Sequence, residues 1–494
     1  MQRHDGDDDL TLRAACPPVV SDTSARPAHG AGAGADADEA RTDEARTDEA
    51  RTDVESEIQA DVAILGAGSA AEILVGALSG SPLSIVVFEP SLVGGQCPFV
   101  ACMPSKAMLH DAAVGRRWDT AVARRRDVVD HLDDGRHASS LQKDGATLVR
   151  SAARFVDPTC VEAGGRRYRV RHIVIATGAD SVVPPIEGLG ELDDVVWTSA
   201  DAMRAEERPT RLAVIGGGVV GCEMAQLFAG FGTEVHLLDV AERAFPDLYP
   251  QVGEIVDDAL RARGVKICRG ATVEAASRRG GNVRLELSNG SSVMTDRVLV
   301  ATGTRPRLQE LRLDRIGVHV VDALPVDDSG RVAAPGSIWA IGDVAGRGEY
   351  THLAKHQAQV VANHLDGDGS RRFDDVVLPA CVFVEPPVMT VGPTRRELEG
   401  DDDVVWATGE LSEIPRWSTD ELIGGFLAVA ARRSTGCLVA AHGAGARFDE
   451  LVHALVVAID GEVPVRRLAM SMQPFPTVGE VLGPIYRRLL TQLD

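Results

Sequence analysis

The chain has 494 residues, 25% of them charged, and a formal net charge of -22. At roughly 150 residues per domain that length calls for about three domains, and the acidic balance argues against nucleic acid or an anionic membrane surface as a partner. No apolar run approaches the roughly 18 residues needed to span a bilayer, and eight cysteines scattered through so long a chain do not make a disulfide framework.

Residues 1–57 hold almost no apolar clusters, and residues 40–53 repeat Ala-Arg-Thr-Asp-Glu with a five-residue period. Through Ala60, 15 acidic residues stand against 6 basic ones. Such a segment buries too little surface to offset chain entropy, so a disordered acidic tail is expected, with Cys16 a lone thiol inside it. Its polar start lacks the pattern of a secretory leader, and a cytoplasmic location is expected.

Order is expected from Asp61. Asp-Val-Ala-Ile-Leu reads as a buried strand, Gly66, Gly68 and Ala71 lead into an apolar helix, and a second strand, 84–88, ends at Glu89. This is a dinucleotide fingerprint: the glycines allow a tight turn and close backbone approach to a pyrophosphate, and the carboxylate accepts hydrogen bonds from a ribose. The pattern recurs. A strand at 211–215 leads into Gly216, Gly218 and Gly221, a helix, and a strand at 234–238 closing on Asp239. Glu89 lies 23 residues after Gly66, and Asp239 lies 23 residues after Gly216, so two nucleotide-binding units of one design are expected.

Between the fingerprints runs Gly94-Gly95-Gln96-Cys97-Pro98-Phe99-Val100-Ala101-Cys102-Met103-Pro104-Ser105-Lys106. On a regular helix five residues rise roughly 7.5 Å, just past the roughly 7 Å limit for the Cα atoms of a disulfide. Closing Cys97 onto Cys102 therefore requires a distorted turn. The glycine pair, Pro98 in a first helical turn and Pro104 as a kink supply the irregularity. Two unrelated buried cysteines are the alternative.

The stretch resembles the redox-active disulfide of the flavoprotein disulfide reductases, the family of dihydrolipoamide dehydrogenase, glutathione reductase and mercuric reductase. It departs from the family pattern at Phe99 and Ala101, where Asn and Gly are usual. The resemblance continues through Ala176-Thr177-Gly178, Ala301-Thr302-Gly303, Ile338 to Asp343, and Thr351 to Gln357, whose helix in the family points its positive end at the flavin.

It implies an α/β chain with two Rossmann-like dinucleotide-binding domains and a C-terminal α+β dimerisation domain. After the tail, residues 58–198 would bind FAD and carry the disulfide. Residues 199–323 would bind NAD(P)H, residues 324–372 would complete the FAD domain, and residues 373–494 would form a homodimer.

Site residues carry over by position. Cys97 would be the interchange thiol and Cys102 the thiolate beside the flavin, with Lys106 paired to Glu223; a nearby cation lowers a thiol pKa. FAD would contact Gly66, Gly68, Ala71, Glu89, Gly95, Lys106, Thr177, Gly178, Asp343 and Ala354. The nicotinamide nucleotide would contact Gly216, Gly218, Gly221, Asp239 and Gly303. Asp239 favours NADH over NADPH, because a carboxylate binds ribose hydroxyls and repels a 2'-phosphate; Arg243 nearby complicates that. No resident metal is expected.

One residue of the pattern is missing. Members that reduce thiol disulfides carry His-Pro-Thr followed by a glutamate, and the imidazole protonates the leaving thiolate. Here Phe475 precedes Pro476 and Thr477, Glu480 is left without that partner, and no histidine follows His453. His442 and His453 are expected to be structural. A thiol of ordinary pKa near 8.5 benefits from protonation, whereas a more acidic one leaves unaided. The expectation is therefore a small-molecule thiol or disulfide other than glutathione or lipoamide, for example a natural-product thiol. A quinone or metal-ion reductase is the second reading, with mercury discounted because the chain ends without a cysteine pair, and a non-catalytic redox sensor is the third.

Overall fold

The computed structural model describes residues 57–320, 322–422 and 424–493, so the acidic repeat and Cys16 lie outside the described residues. Strand Ile58–Leu65 starts three residues before Asp61, where order was expected. It lies in the parallel part of a mixed seven-stranded sheet, flanked by Ile85–Phe88 and then Ala146–Val149 on one side and by Arg166–Ile175 on the other, beyond which two strands pair antiparallel. Because neighbouring residues of a strand face opposite sides, Val62 and Ile64 pack with Leu74, Val75 and Val361, while Ala63 and Leu65 pack with Phe155, Val161 and Ile173. Burial on both faces is why the run is continuously apolar.

The late strand Ile338–Ala340 pairs in parallel with Ile173–Ile175 and extends this first sheet. A second parallel sheet has the order Lys266–Arg269, Glu234–Asp239, Arg211–Ile215, Arg297–Val300, Val196–Trp197. Its middle strand divides in the same way: Leu212 and Val214 pack with Ala225 and Phe228, and Ala213 and Ile215 with Leu285 and Val293.

The third sheet is antiparallel, in the order Pro379–Val382, Val388–Val391, Leu438–Gly445, Gly425–Arg432, Val404–Glu410. Leu438 opens its central strand. Helices Phe448–Asp460 and Leu482–Leu493 share the core of this sheet. His442 sits in it fully buried, donating from Nε2 to the Pro393 carbonyl at 2.9 Å. Burial pushes its ring pKa down to about 4, so it is neutral and structural. His453 is exposed on the first of those helices. Among the described residues no helix is long and apolar enough to cross a membrane.

Candidate functional site

The two fingerprints repeat bond for bond. Gly66 N–H donates to the Phe88 carbonyl at 2.9 Å and Gly216 N–H to the Leu238 carbonyl at 2.8 Å. Ala176 and Ala301 each donate at 2.8 Å to the last residue of the central strand, Leu65 and Ile215. Gly66 has φ +101°, and a Cβ there would stand 2.4 Å from the Ala176 carbonyl oxygen; for Gly216 the values are +103° and 2.3 Å from Ala301. Only glycine closes either turn without displacing the backbone behind it.

The helices that follow, Ser69–Ala77 and Val219–Gly230, are capped by Gly68 and Gly218 with no side-chain cap, so their first N–H groups face outward unsatisfied by a side chain. Gly216, Gly218, Asp239 and Gly303 line a cavity of about 540 Å³. Gly66, Glu89 and Thr177 line another of about 260 Å³. Gly221 lines neither role: a Cβ there would meet the Gly216 carbonyl at 1.8 Å, so it sets how closely helix and turn pack.

The two acidic residues differ. Glu89 accepts from Ala67 N–H at 2.9 Å and Ser91 N–H at 2.8 Å, leaving lone pairs free on both oxygens. Asp239 is instead held by Arg269, whose Nη1 lies 2.5 Å from its Oδ2. A carboxylate that repels a 2'-phosphate must be free, and Asp239 is not: its partner lies 30 residues on, with no local motif to mark it. Arg243 turns elsewhere, donating to the Pro246 carbonyl at 3.0 Å.

The cysteine segment lies against the first turn. Gly68 bridges Gly94, and a Cβ on Gly95, at φ +74°, would meet the Gly68 Cα at 2.9 Å. Helix Gln96–Phe99 then stops, because Val100 (φ -138°, ψ 6°) and Ala101 (φ -130°, ψ -97°) leave helical space, and a new helix runs Cys102–Ala113. This break is the distorted turn the spacing requires. Pro104 does not kink it: as third residue of the new helix it occupies a first-turn position where its missing N–H leaves no bond unmade.

Both cysteines stand as thiols rather than as a disulfide, so the geometry is that of the reduced pair. The hydrogen bond from Cys97 lowers the Cys102 pKa to about 6 against the opposing effect of burial, with further help from the Thr351 hydroxyl and the Lys106 charge. Cys97 is raised by the same bond and by burial. The shared hydrogen bond and the Lys106 charge thus favour the thiolate on Cys102 over one on Cys97.

Thr351 Oγ1 lies 3.6 Å from Cys102 Sγ, at the first residue of helix Thr351–Leu365. Lys106 Nζ is 2.6 Å from Glu223 Oε2, and Glu223 is nearly buried. Its other oxygen accepts from Phe383 N–H at 2.9 Å, and the ammonium lies 4.9 Å from the Phe383 ring centroid. Two helices and the residue just past a third-sheet strand therefore hold one cation near Cys102.

Buried polar groups beside the first fingerprint await a ligand. Gln357, fully buried, accepts from Gly342 N–H at 2.7 Å, and its Nε2 finds no partner among the described residues. Burial pushes the Asp343 carboxyl up to about 6. Ala354 packs 3.7 Å from where a Gly342 Cβ would sit, and a small residue keeps that approach open. Ala71 is buried on the fingerprint helix, and Gly178, at φ +72°, has nothing within 4 Å of its Cβ position. These features fit a dinucleotide such as FAD, which supplies a two-electron carrier between nicotinamide and sulfur.

Residues 60–358 match the pyridine nucleotide-disulphide oxidoreductase model, and residues 378–484 match the dimerisation domain of the same group. The chain belongs to the pyridine nucleotide-disulphide oxidoreductase family. Members of this family bind FAD and use NAD(P)H.

The mercuric reductase of Staphylococcus aureus is 28% identical over 85% of this chain and 81% of its own length. The dihydrolipoyl dehydrogenase of Pseudomonas aeruginosa is 30% identical over 88% of this chain and 98% of its own. The flavoprotein disulfide reductase RclA of Escherichia coli, solved as a Cu(II) complex, superposes with a TM-score of 0.80 at 27% identity, covering 87% of this chain and 99% of that one.

Thr351, Phe383 and Arg269 were not among the expected site residues. Thr351 alone left a signal, a hydroxyl at the start of a helix already assigned to the flavin. Glu480, expected to lack its histidine partner, accepts from Thr477 N–H at 3.1 Å in a capping box. Phe475 is 73% exposed, with Met470 and Met472 exposed on the same loop.

Proposed function

We propose that this chain is an NAD(P)H-dependent, FAD-containing disulfide oxidoreductase that works as a homodimer on a small-molecule thiol or disulfide of unusually acidic thiol. The observation that carries this is the Cys97–Cys102 pair with Thr351 Oγ1 3.6 Å from Cys102 Sγ and with the Lys106–Glu223 ion pair one helical turn on. Cys97 attacks a substrate disulfide once its proton passes along the hydrogen bond to Cys102. One substrate sulfur bonds to Cys97 and the other leaves as a thiolate. Cys102 releases that proton to solvent under the Lys106 charge, attacks Cys97, expels the second thiolate and closes the disulfide. Two electrons pass from the dithiol to the substrate, and NAD(P)H replaces them. No imidazole at position 475 protonates a leaving group, so substrates whose thiolates leave unaided are favoured.

Anaerobic titration with NADH and then NADPH tests this reading. A long-wavelength charge-transfer band at two electrons is expected from Cys102 thiolate beside oxidised FAD. The thiolate is populated above its pKa and lost as pH falls through it, so the band should bleach toward acid with an apparent pKa near 6. Direct bleaching of the flavin without the band would sink the reading.

Substituting Phe475→His restores an imidazole before Pro476, and should raise turnover of glutathione disulfide at pH 7 by roughly tenfold or more. An activated aromatic disulfide should gain little. Equal gains on both would detach Phe475 from proton transfer.

A metal ion as substrate is the second reading, favoured by relatives named for mercury and solved with Cu(II). Among the described residues no group of three or more His, Cys, Asp and Glu could hold a metal, which leaves the dithiol as the ligand. NAD(P)H oxidation stimulated by Hg(II) but by no disulfide would favour it.

A further inference from the structure

Arg269 lies directly opposite Asp239 in the register of the second sheet, on the neighbouring parallel strand. Residues so paired present their side chains on the same face. Four of its five N–H donors are engaged: Nη1 contacts Asp239 Oδ2 at 2.5 Å and the Gly217 carbonyl at 3.4 Å, and Nη2 and Nε reach Asp257 at 2.7 and 3.4 Å. The side chains of Arg269 and Asp257 are each 7% exposed, and that of Asp239 is 15% exposed. Arg261, 4.0 Å from Asp257, completes a set of two carboxylates and two guanidinium groups.

Asp239 and Gly217 line the cavity of the second fingerprint. Glu242, on the loop beyond, turns to Gly270 and is not among the lining residues. The charge at the ribose end of the cavity is therefore a compensated pair instead of a lone carboxylate. A phosphate carrying nearly two negative charges would be repelled by the lone carboxylate, and that repulsion is strong in so poorly solvated a site. With Arg269 2.5 Å away the repulsion is offset, while Asp239 Oδ1, which among the described residues accepts one bond, from Ala241 N–H at 3.3 Å, still accepts from a ribose hydroxyl.

We infer that Arg269 is the positioning residue that sets nucleotide preference, by capturing Asp239 so that NADPH is admitted alongside NADH. This rests on the reading that the cavity holds the pyridine nucleotide.

The test measures kcat/KM of the FAD-loaded enzyme with each nucleotide, and competitive inhibition by 2',5'-ADP against 5'-AMP, fragments that differ only by the 2'-phosphate. In the wild type both comparisons should agree within about tenfold, against roughly 100-fold or more for a free carboxylate. Arg269→Gln should lower the NADPH to NADH ratio of kcat/KM by about tenfold or more, through KM rather than kcat. The double variant R269Q/D257N removes the carboxylate that the single change strands, and should show the same ratio if the single variant does not fold. Strong wild-type rejection of NADPH and 2',5'-ADP overturns the inference. So does an equal loss with both nucleotides in the variants, which would make Arg269 merely structural. Reduction of the flavin by neither nucleotide removes the underlying reading as well.

Discussion

Cys97→Ser should abolish turnover of any disulfide substrate, by at least roughly 10³-fold, because a hydroxyl in place of the attacking thiol has no thiolate to offer. The variant should still take up FAD, and Cys102 should keep its neighbours Thr351 and Lys106, so the loss reports on chemistry and not on folding. In Cys97→Ala the Cys102 pKa should rise, since the hydrogen bond from Cys97 is the largest influence lowering it and alanine offers no donor in its place. The charge-transfer band of Cys97→Ala should thus bleach at higher pH than that of the wild type. If NAD(P)H oxidation with a quinone survived in Cys97→Ser while no disulfide activity could be found in the wild type, electrons would be leaving without sulfur, and the disulfide reading would fall.

The second large effect belongs to Gly66→Ala. At φ +101° an alanine pays roughly 1–2 kcal/mol in backbone strain, and its Cβ, 2.4 Å from the Ala176 oxygen, forces a backbone shift costing about 1–3 kcal/mol more. The expected outcome is protein that melts earlier and retains no FAD, read by thermal unfolding and by the flavin to protein absorbance ratio. Gly68→Ala is the control. Its φ is ordinary at -78°, and its Cβ would meet only the Gly95 Cα at 4.0 Å. That variant should fold and melt normally, so whatever FAD it loses measures how closely the ligand approaches the turn. Equal thermal loss in both variants would contradict the steric account of Gly66.

The parts of this site that could be read in the sequence are those where chemistry and spacing travel together. The glycines, the acidic residues 23 positions on and the cysteine pair are local patterns, and local patterns fix local geometry. What escaped depends on contacts between distant segments. Thr351 meets Cys102 across 249 residues of chain. Arg269 reaches Asp239 only because two strands fall into one register, and a shift of one residue would turn its side chain to the other face. Pro104 misled for a different reason: its effect depends on where the helix starts, and the break at Val100 and Ala101 puts that start later than a continuous helix would. Glu480 could not be assigned once its histidine was absent, because a capping carboxylate and a catalytic one look alike in sequence.

The strand Ile338–Ala340 also bears on how the chain is made. It leaves the ribosome after every strand of the second sheet, the last of which ends at Val300. The half that carries the second fingerprint can therefore be finished while residues Ile173–Ile175 of the first still present an unpaired edge. Such an edge is a template for pairing with other chains, and it persists until translation has passed Ala340. The two nucleotide folds mature in the reverse of their order along the chain, and the one begun first is the one most exposed to misassembly during synthesis.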